Sequence, residues 1–274
     1  MTLKFFLPLI LLIIINTSTE YRNWKPYRRP KIMGDVISLK QLSPNRKKVQ
    51  QKILLYHNFF RSRVKPAASN MLRMKWHNGA ANAAQNWADE CQALVHDGLE
   101  GRYIDNYGSC GQNIFIATHK VPWLFAVKTW WLEKDEFTFG EPVNNSTIIG
   151  HYTQMVWAAS HEIGCGISKC YQYVGNSTIG RLFYNYVCNY CPAGNHPGKL
   201  DHPYKTGKPC GQCKRYCRNR LCLNACPYVN MWSNCEKLYK AHPHWLCHSN
   251  HTLGGRHRFS FCKATCTCRH RIHD

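Results

Sequence analysis

Beyond its first fifteen residues the chain has no apolar run long enough to span a bilayer, which takes about 20 residues. The run Phe5 to Ile15 is itself short and broken by Pro8. Acidic residues are also scarce, with 15 Asp and Glu against 36 Lys and Arg. No internal repeat is present, which excludes solenoids and propellers. No nucleophile elbow occurs; Ser160-His161-Glu162 carries triad letters, but adjacent side chains do not face one another.

What is present points to export. Lys4, the short apolar run and the small polar residues Asn16 to Thr19 read as a signal peptide over 1–19. The mature chain is then expected to be secreted. Its sixteen cysteines become disulfides rather than thiols. Paired thiolates at Cys188-x-x-Cys191 and Cys210-x-x-Cys213 would also suit zinc, but an oxidising compartment favours bridges. Ten cysteines fall within 210–274, a segment too small to fold on a core of its own, so covalent staples must replace one. Sequons at Asn144, Asn145, Asn176 and Asn250 suit a secreted glycoprotein, with Asn145, Asn176 and Asn250 taken as the sites and only one of the adjacent first pair used.

The formal charge of +21 is unevenly placed. Residues 20–65 hold 13 Lys and Arg against two Asp and Glu, and residues 196–274 hold 14 against three. The stretch between them, 66–195, holds eight against ten and is nearly neutral. Such flanks favour acidic partners, among them sulfated glycans, anionic lipid and the mouth of a channel. Nucleic acid has the same electrostatics, but export argues against it. Nine of fifteen histidines lie in 196–274, so its charge rises further in mild acid.

Residues 20–42 show no periodicity and read as an extended basic arm. Ser43-Pro44 predicts the start of a helix running to about Arg63, with Val49, Ile53, Tyr56 and Phe60 on one face. Ala80, Ala84, Trp87, Ala88 and Cys91 predict a second helix, small enough on that face to pack closely against a sheet. A third is expected over about 123–133, with Trp130 and Trp131 as core residues. The segment 151–157 reads equally as strand, helix or loop. Strands are expected over 163–168 and 182–188, joined by a turn at 176–178. Helices first and paired strands later predict an α+β fold. Residues 192–209 have a linker's composition.

Several motifs together resemble a known family. They are His57-Asn58-Phe59-Phe60-Arg61, Pro66 to Leu72, Trp76 to Ala81, Cys110-Gly111-Gln112-Asn113-Ile114, Gly150-His151-Tyr152-Thr153-Gln154-Met155-Val156-Trp157, and Cys188 to Asn195. With the ten cysteines behind them, the chain resembles the cysteine-rich secretory proteins of the CAP superfamily. The resemblance implies a three-layer α-β-α CAP sandwich over 43–195. A linker and disulfide hinge would follow over 196–225, and a small helical cysteine-rich, ion-channel-regulator-like domain over 226–268. Spacing alone leaves many connectivities open, fifteen for six cysteines. The resemblance implies Cys91–Cys170, Cys110–Cys191, Cys165–Cys188, Cys210–Cys217, Cys213–Cys222, Cys226–Cys268, Cys235–Cys262 and Cys247–Cys266.

The resemblance also implies a cleft with two histidines and two glutamates that can hold zinc. Here the histidines would be His96 and His151, and one glutamate would be Glu133. The other position is Gln112, whose amide neither takes a proton nor neutralises a cation near neutral pH. No catalytic residue is therefore assigned, and the protein is expected not to be an enzyme; a zinc-dependent hydrolase is the disfavoured alternative. Function is expected on the tail, as modulation of an ion channel by a monomeric secreted protein. The binding face would comprise Lys214, Arg215, Arg218, Arg220, Tyr228, Trp232, Lys237, Tyr239, Lys240 and Trp245. The alternative is a sperm-surface, cell-surface or anionic-glycan-binding protein of the reproductive tract.

Overall fold

A computed structural model of the protein describes residues 36–142, 145–172 and 180–274. The signal segment, most of the basic arm, Asn144, Asn176 and the turn at 176–178 lie outside these residues.

The first described helix, α1 (Leu39–Leu42), belongs to the stretch read as an extended arm. Ser38 and Gln41 form a reciprocal capping box, a local signal that outweighs the missing periodicity. Leu42 is buried, and its carbonyl accepts a hydrogen bond from Trp123 Nε1 at 2.7 Å. Ser43 closes α1 and does not open the next helix. Helix α2 (Lys47–Arg61) instead begins after Arg46, without a side-chain cap. Its buried face carries Val49, Ile53, His57 and Arg61, rotated from the expected stripe, and Tyr56 and Phe60 are only partly buried. The polar side chains win the interior because the sheet and its loops offer them hydrogen-bond partners.

Strand β1 (Lys75–Trp76) is followed by α3 (Asn78–Asp89), β2 (Tyr103–Ile104), β3 (Gly108–Ser109) and β4 (Gly111–Ala117). Helix α4 (Trp123–Leu132) runs into a 3-10 turn at Glu133–Asp135. The ambiguous segment is helical over its first five residues, which end α5 (Ser146–Met155); Asn145 caps that helix by accepting from the Thr147 amide at 3.0 Å. Strands β5 (Glu162–Gln172) and β6 (Arg181–Cys191) are longer than expected and pair antiparallel along their length. The sheet order is β1-β5-β6-β4, with only β1 parallel to its neighbour.

Alternation along the strands builds the layers. Ile163, Cys165 and Ile167 on β5, with Tyr184, Tyr186, Cys188 and Tyr190 on β6, share a core with residues of α2, α4 and α5. On the opposite face, Ala84 and Ala88 of α3 meet Ile114 and Val187. Gly164 and Gly166 lie under the same helix, and a Cβ on Gly164 would stand 2.0 Å from the Ala81 nitrogen. The result is an α-β-α sandwich.

The segment with linker composition is strapped to this body. Lys205 and Ser69, Gly207 and Ala67, and Gln212 and Ser69 join by backbone hydrogen bonds, and Tyr204 is buried in the main core. A small ribbon, β7 (Cys217–Arg218) and β8 (Leu221–Cys222), continues the contact, with the Cys222 amide donating to Met71 O at 2.8 Å. Helices α6 (Cys235–Ala241), α7 (Pro243–Cys247), α8 (Leu253–Phe261) and α9 (Lys263–Thr267) form the last unit. Its core is little more than Cys235, Leu246, Cys247 and Cys262, as expected where bridges do the work of apolar bulk. The chain returns to its point of departure: Ala225 bridges Ile272, and Trp157 Nε1 donates to the Asp274 carboxylate at 2.8 Å.

Eight disulfides use all sixteen cysteines: Cys91–Cys170, Cys110–Cys191, Cys165–Cys188, Cys210–Cys217, Cys213–Cys222, Cys226–Cys268, Cys235–Cys262 and Cys247–Cys266. Three lie in the sandwich, two in the ribbon and three in the helical unit, and none crosses between these parts.

Candidate functional site

The cleft forms where the turn after α4, the second half of α5 and strand β4 converge on the loop after α3. Glu133 Oε1 accepts from His151 Nδ1 at 2.5 Å, and its Oε2 accepts from the Tyr152 amide at 2.9 Å. Trp130 stacks on the His151 ring at 6.3 Å, while its Nε1 donates to Ile114 O. Gln112 is buried on β4. Its Oε1 accepts from His96 Nδ1 at 3.0 Å and from the Asp97 amide at 3.1 Å, and its Nε2 donates to Asn189 Oδ1. Desolvation holds the His96 pKa below its ordinary value, against the hydrogen bond to Gln112; the nearby charges of Arg102 and His151 add to the lowering.

Both histidines therefore spend Nδ1 on a side-chain oxygen. Among the described residues neither Nε2 has a hydrogen-bond partner. That is the arrangement in which an imidazole can present Nε2 to a metal with its tautomer fixed from behind. The donor types would suit a zinc ion held by His96 and His151, with Glu133 and Gln112 as the supporting acceptors. Bound there, zinc would supply Lewis acidity at open coordination positions. Among the described residues the one group of three donors close enough to share an ion is Cys210, Cys213 and Cys222. Those sulfurs are in disulfides and cannot ligate.

Behind the cleft lies a buried chain whose members the sequence motifs contain but assign no role. Asn113 Nδ2 donates to the Tyr190 hydroxyl, which donates to His57 Nε2 at 2.9 Å; His57 Nδ1 donates to Ile53 O. Burial pushes the His57 pKa down to about 4, so the ring is neutral and the chain is a fixed scaffold. Asn113 also donates to the His151 carbonyl, tying scaffold to site. The signal was available, since His57 and Arg61 follow Ile53 at intervals of four on one helix face. Ser160 Oγ donates to Pro192 O, whereas the His161 nitrogens meet Ala159 O and Tyr107, so these adjacent residues share no bond.

The predicted face on the tail divides. Lys214, Arg215, Arg218, Lys237 and Lys240 are exposed, and Arg220 is exposed with its Nε donating to Ser62 O of the sandwich. Trp232 is half-buried and stacks on Phe261 at 5.1 Å. Tyr228 lies under Lys263 at 3.9 Å, Tyr239 near Arg269, and Trp245 under Arg258 at 4.1 Å. Lys263, Arg258, Arg269 and Phe261 were not predicted, because their aromatic partners are far off in sequence. Asn145 and Asn250 are exposed.

An α-β-α sandwich with a paired-histidine cleft and a separate disulfide-framed helical unit defines a CAP-type secretory architecture. The family model described as "Cysteine-rich secretory protein family" matches residues 54–190, and that described as "Crisp" matches residues 210–273. The chain is 40% identical to cysteine-rich secretory protein 2 of Cavia porcellus over 82% of its own length and 85% of the relative's. It is 36% identical to cysteine-rich secretory protein 2 of Homo sapiens over 82% and 86%. Among solved structures, that titled "Crystal structure of NaASP2 with Zn2+" is 29% identical with a TM-score of 0.50, covering 65% of this chain and 96% of that one. The chain belongs to the cysteine-rich secretory protein family. Among the described residues no helix is long and apolar enough to cross a membrane.

Proposed function

We propose that this is a secreted, non-enzymatic, monomeric protein that modulates an ion channel through its helical cysteine-rich unit. The observation that carries the reading is the set of cation–aromatic pairs on that unit, above all the exposed Trp245 with Arg258 across it. Three bridges fix their positions, so little ordering cost is incurred on binding. Cations placed this way exploit the negative potential of a channel mouth. The cleft supports the non-enzymatic reading, because the Glu133 carboxylate is occupied by two hydrogen bonds and Gln112 supplies no base.

The test uses the full chain on a panel of expressed channels. Trp245→Ala with Arg258→Ala is expected to weaken current modulation about tenfold or more, as for an interface anchor. His96→Ala with His151→Ala is expected to leave it unchanged. The opposite pattern would move the function to the cleft.

Zinc binding at the cleft is proposed alongside it, on the two free imidazole nitrogens. Calorimetric titration of the full chain should show one site that the double histidine variant loses. Gln112→Glu should tighten it about tenfold by giving His96 an anionic partner. Unchanged binding in the histidine variant would reject the site.

A second reading, binding to anionic glycans on a cell surface, rests on the two basic flanks and on how few carboxylates are near enough to neutralise them.

A further inference from the structure

Two stretches of this chain contain no Asp or Glu at all. From Val36 to Ala88 there are ten Lys and Arg, and from His202 to Cys235 there are six. The fold brings these distant stretches together. Leu72 pairs with Cys222, Ala68 pairs with Thr206, and Arg220 Nε donates to Ser62 O at 3.1 Å. At their junction is a groove of about 710 Å³ between the end of α2 and the tip of the β7–β8 ribbon. Arg63, Lys65, Arg73 and Arg220 line it, and no carboxylate does. Among the described residues none of these four is ion-paired. Leu55 and Phe59 complete one wall, and the Arg63 guanidinium lies 3.7 Å over the Phe59 ring.

We propose that this groove is a binding site for a sulfated glycosaminoglycan chain. The inference rests on the glycan reading above and narrows it from the two basic flanks to the seam between sandwich and ribbon. Three of the four cations are arginines, whose planar forks match the oxygens of a sulfate group. The site is concave, so it admits an extended polyanion and keeps a flat bilayer off its floor. One face of Phe59 is covered by its own arginine, while the ring stays 48% exposed on the wall. The remaining face of that wall can lie against the C–H surface of a sugar ring. The cations come from two parts of the chain that only the folded protein apposes, so the site does not survive unfolding.

The test measures binding of the full chain to immobilised heparin, with desulfated heparin and phosphatidylserine vesicles as separate arms. The groove variant carries Arg63→Ala, Lys65→Ala, Arg73→Ala and Arg220→Ala. A charge-matched control carries Lys214→Ala, Lys237→Ala, Lys240→Ala and Arg256→Ala. Near-ultraviolet circular dichroism checks that both are folded, and a set of Lys replacements at the three groove arginines keeps the charge if the Ala set is not. The groove variant should bind heparin at least about tenfold more weakly and show a shallower salt dependence. The control should lose about threefold or less, and the Lys set should fall between. Equal losses in both variants would overturn the site while leaving glycan binding intact. No heparin binding by the parent would reject the glycan reading itself. Binding retained on desulfated heparin, or on vesicles alone, would also overturn the proposal, the latter in favour of a membrane surface.

Discussion

Replacing Arg61 with alanine should lower the stability of the folded protein by at least about 4 kcal/mol, read from urea unfolding with disulfides intact. Arg61 is buried on α2 and makes six hydrogen bonds to five main-chain carbonyls. Two go to Leu72, and one each to Met155, Trp157, Ala158 and Ser160. It therefore holds the end of α5, the turn into β5 and the stretch before β1 in one clasp. Burial pushes its pKa down to about 9, so it stays protonated at neutral pH. Among the described residues no carboxylate is ion-paired with it; the carbonyl dipoles carry the compensation. Alanine would leave four of the five carbonyls dry and unpartnered, Ala158 O keeping only the Leu72 amide, and a void besides. Lysine keeps the charge but has one nitrogen and no fork, so Arg61→Lys should still lose at least about 2 kcal/mol. A midpoint for Arg61→Ala that matches the parent would refute this account of how the cleft's scaffold is held.

The second large effect is expected at the helix–sheet contact. Gly164→Ala should cost about 3 kcal/mol, and Gly166→Ala a similar amount. A methyl at 164 would meet the Ala81 nitrogen at 2.0 Å, and at 166 the Gln85 Cα at 2.4 Å. Both obstacles are helix backbone, which cannot rotate away as a side chain would. Relief requires lifting α3 off the sheet and opening the Ala84–Val187 contact behind it. Gly98→Ala is the control, since nothing lies within 4 Å of its would-be Cβ. Its stability should stay within about 0.5 kcal/mol of the parent. A Gly164→Ala protein as stable as Gly98→Ala would mean that the helix does not sit this close.

The alanine stripe of α3 was legible because small residues on one helical face have few uses other than close packing. The tail's covalent frame was legible for a similar reason, since ten cysteines in so short a stretch admit little else. Arg61 and His57 appear in a family motif but not on the predicted helix face, because a polar side chain at a buried helical position looks like a fault in the pattern until its partners are known. Those partners are main-chain carbonyls and a tyrosine more than a hundred residues away, which periodicity does not register. Strand β4 was missed because Gly111-Gln112-Asn113 lacks β-branched residues, and its pairing with β6 supplies what propensity does not. That Gln112 is uncharged is plain from the sequence. Its use of the amide oxygen to orient His96 needed coordinates. The linker composition of 192–209 does not reveal that its glycine and proline serve a strap that follows the sandwich surface.

The helical unit comes in and goes out at one place. Asn224 and Cys226 on the way in are bonded to His270 and Ile272 on the way back, and the Cys226–Cys268 bridge closes the same neck. Topologically it is a cassette plugged into the body through a single socket. Such a module can be exchanged between relatives by cutting at the neck, because no other covalent link has to be matched. The sandwich, its three bridges and the strap would remain as the constant chassis, and the cassette would be the part free to vary.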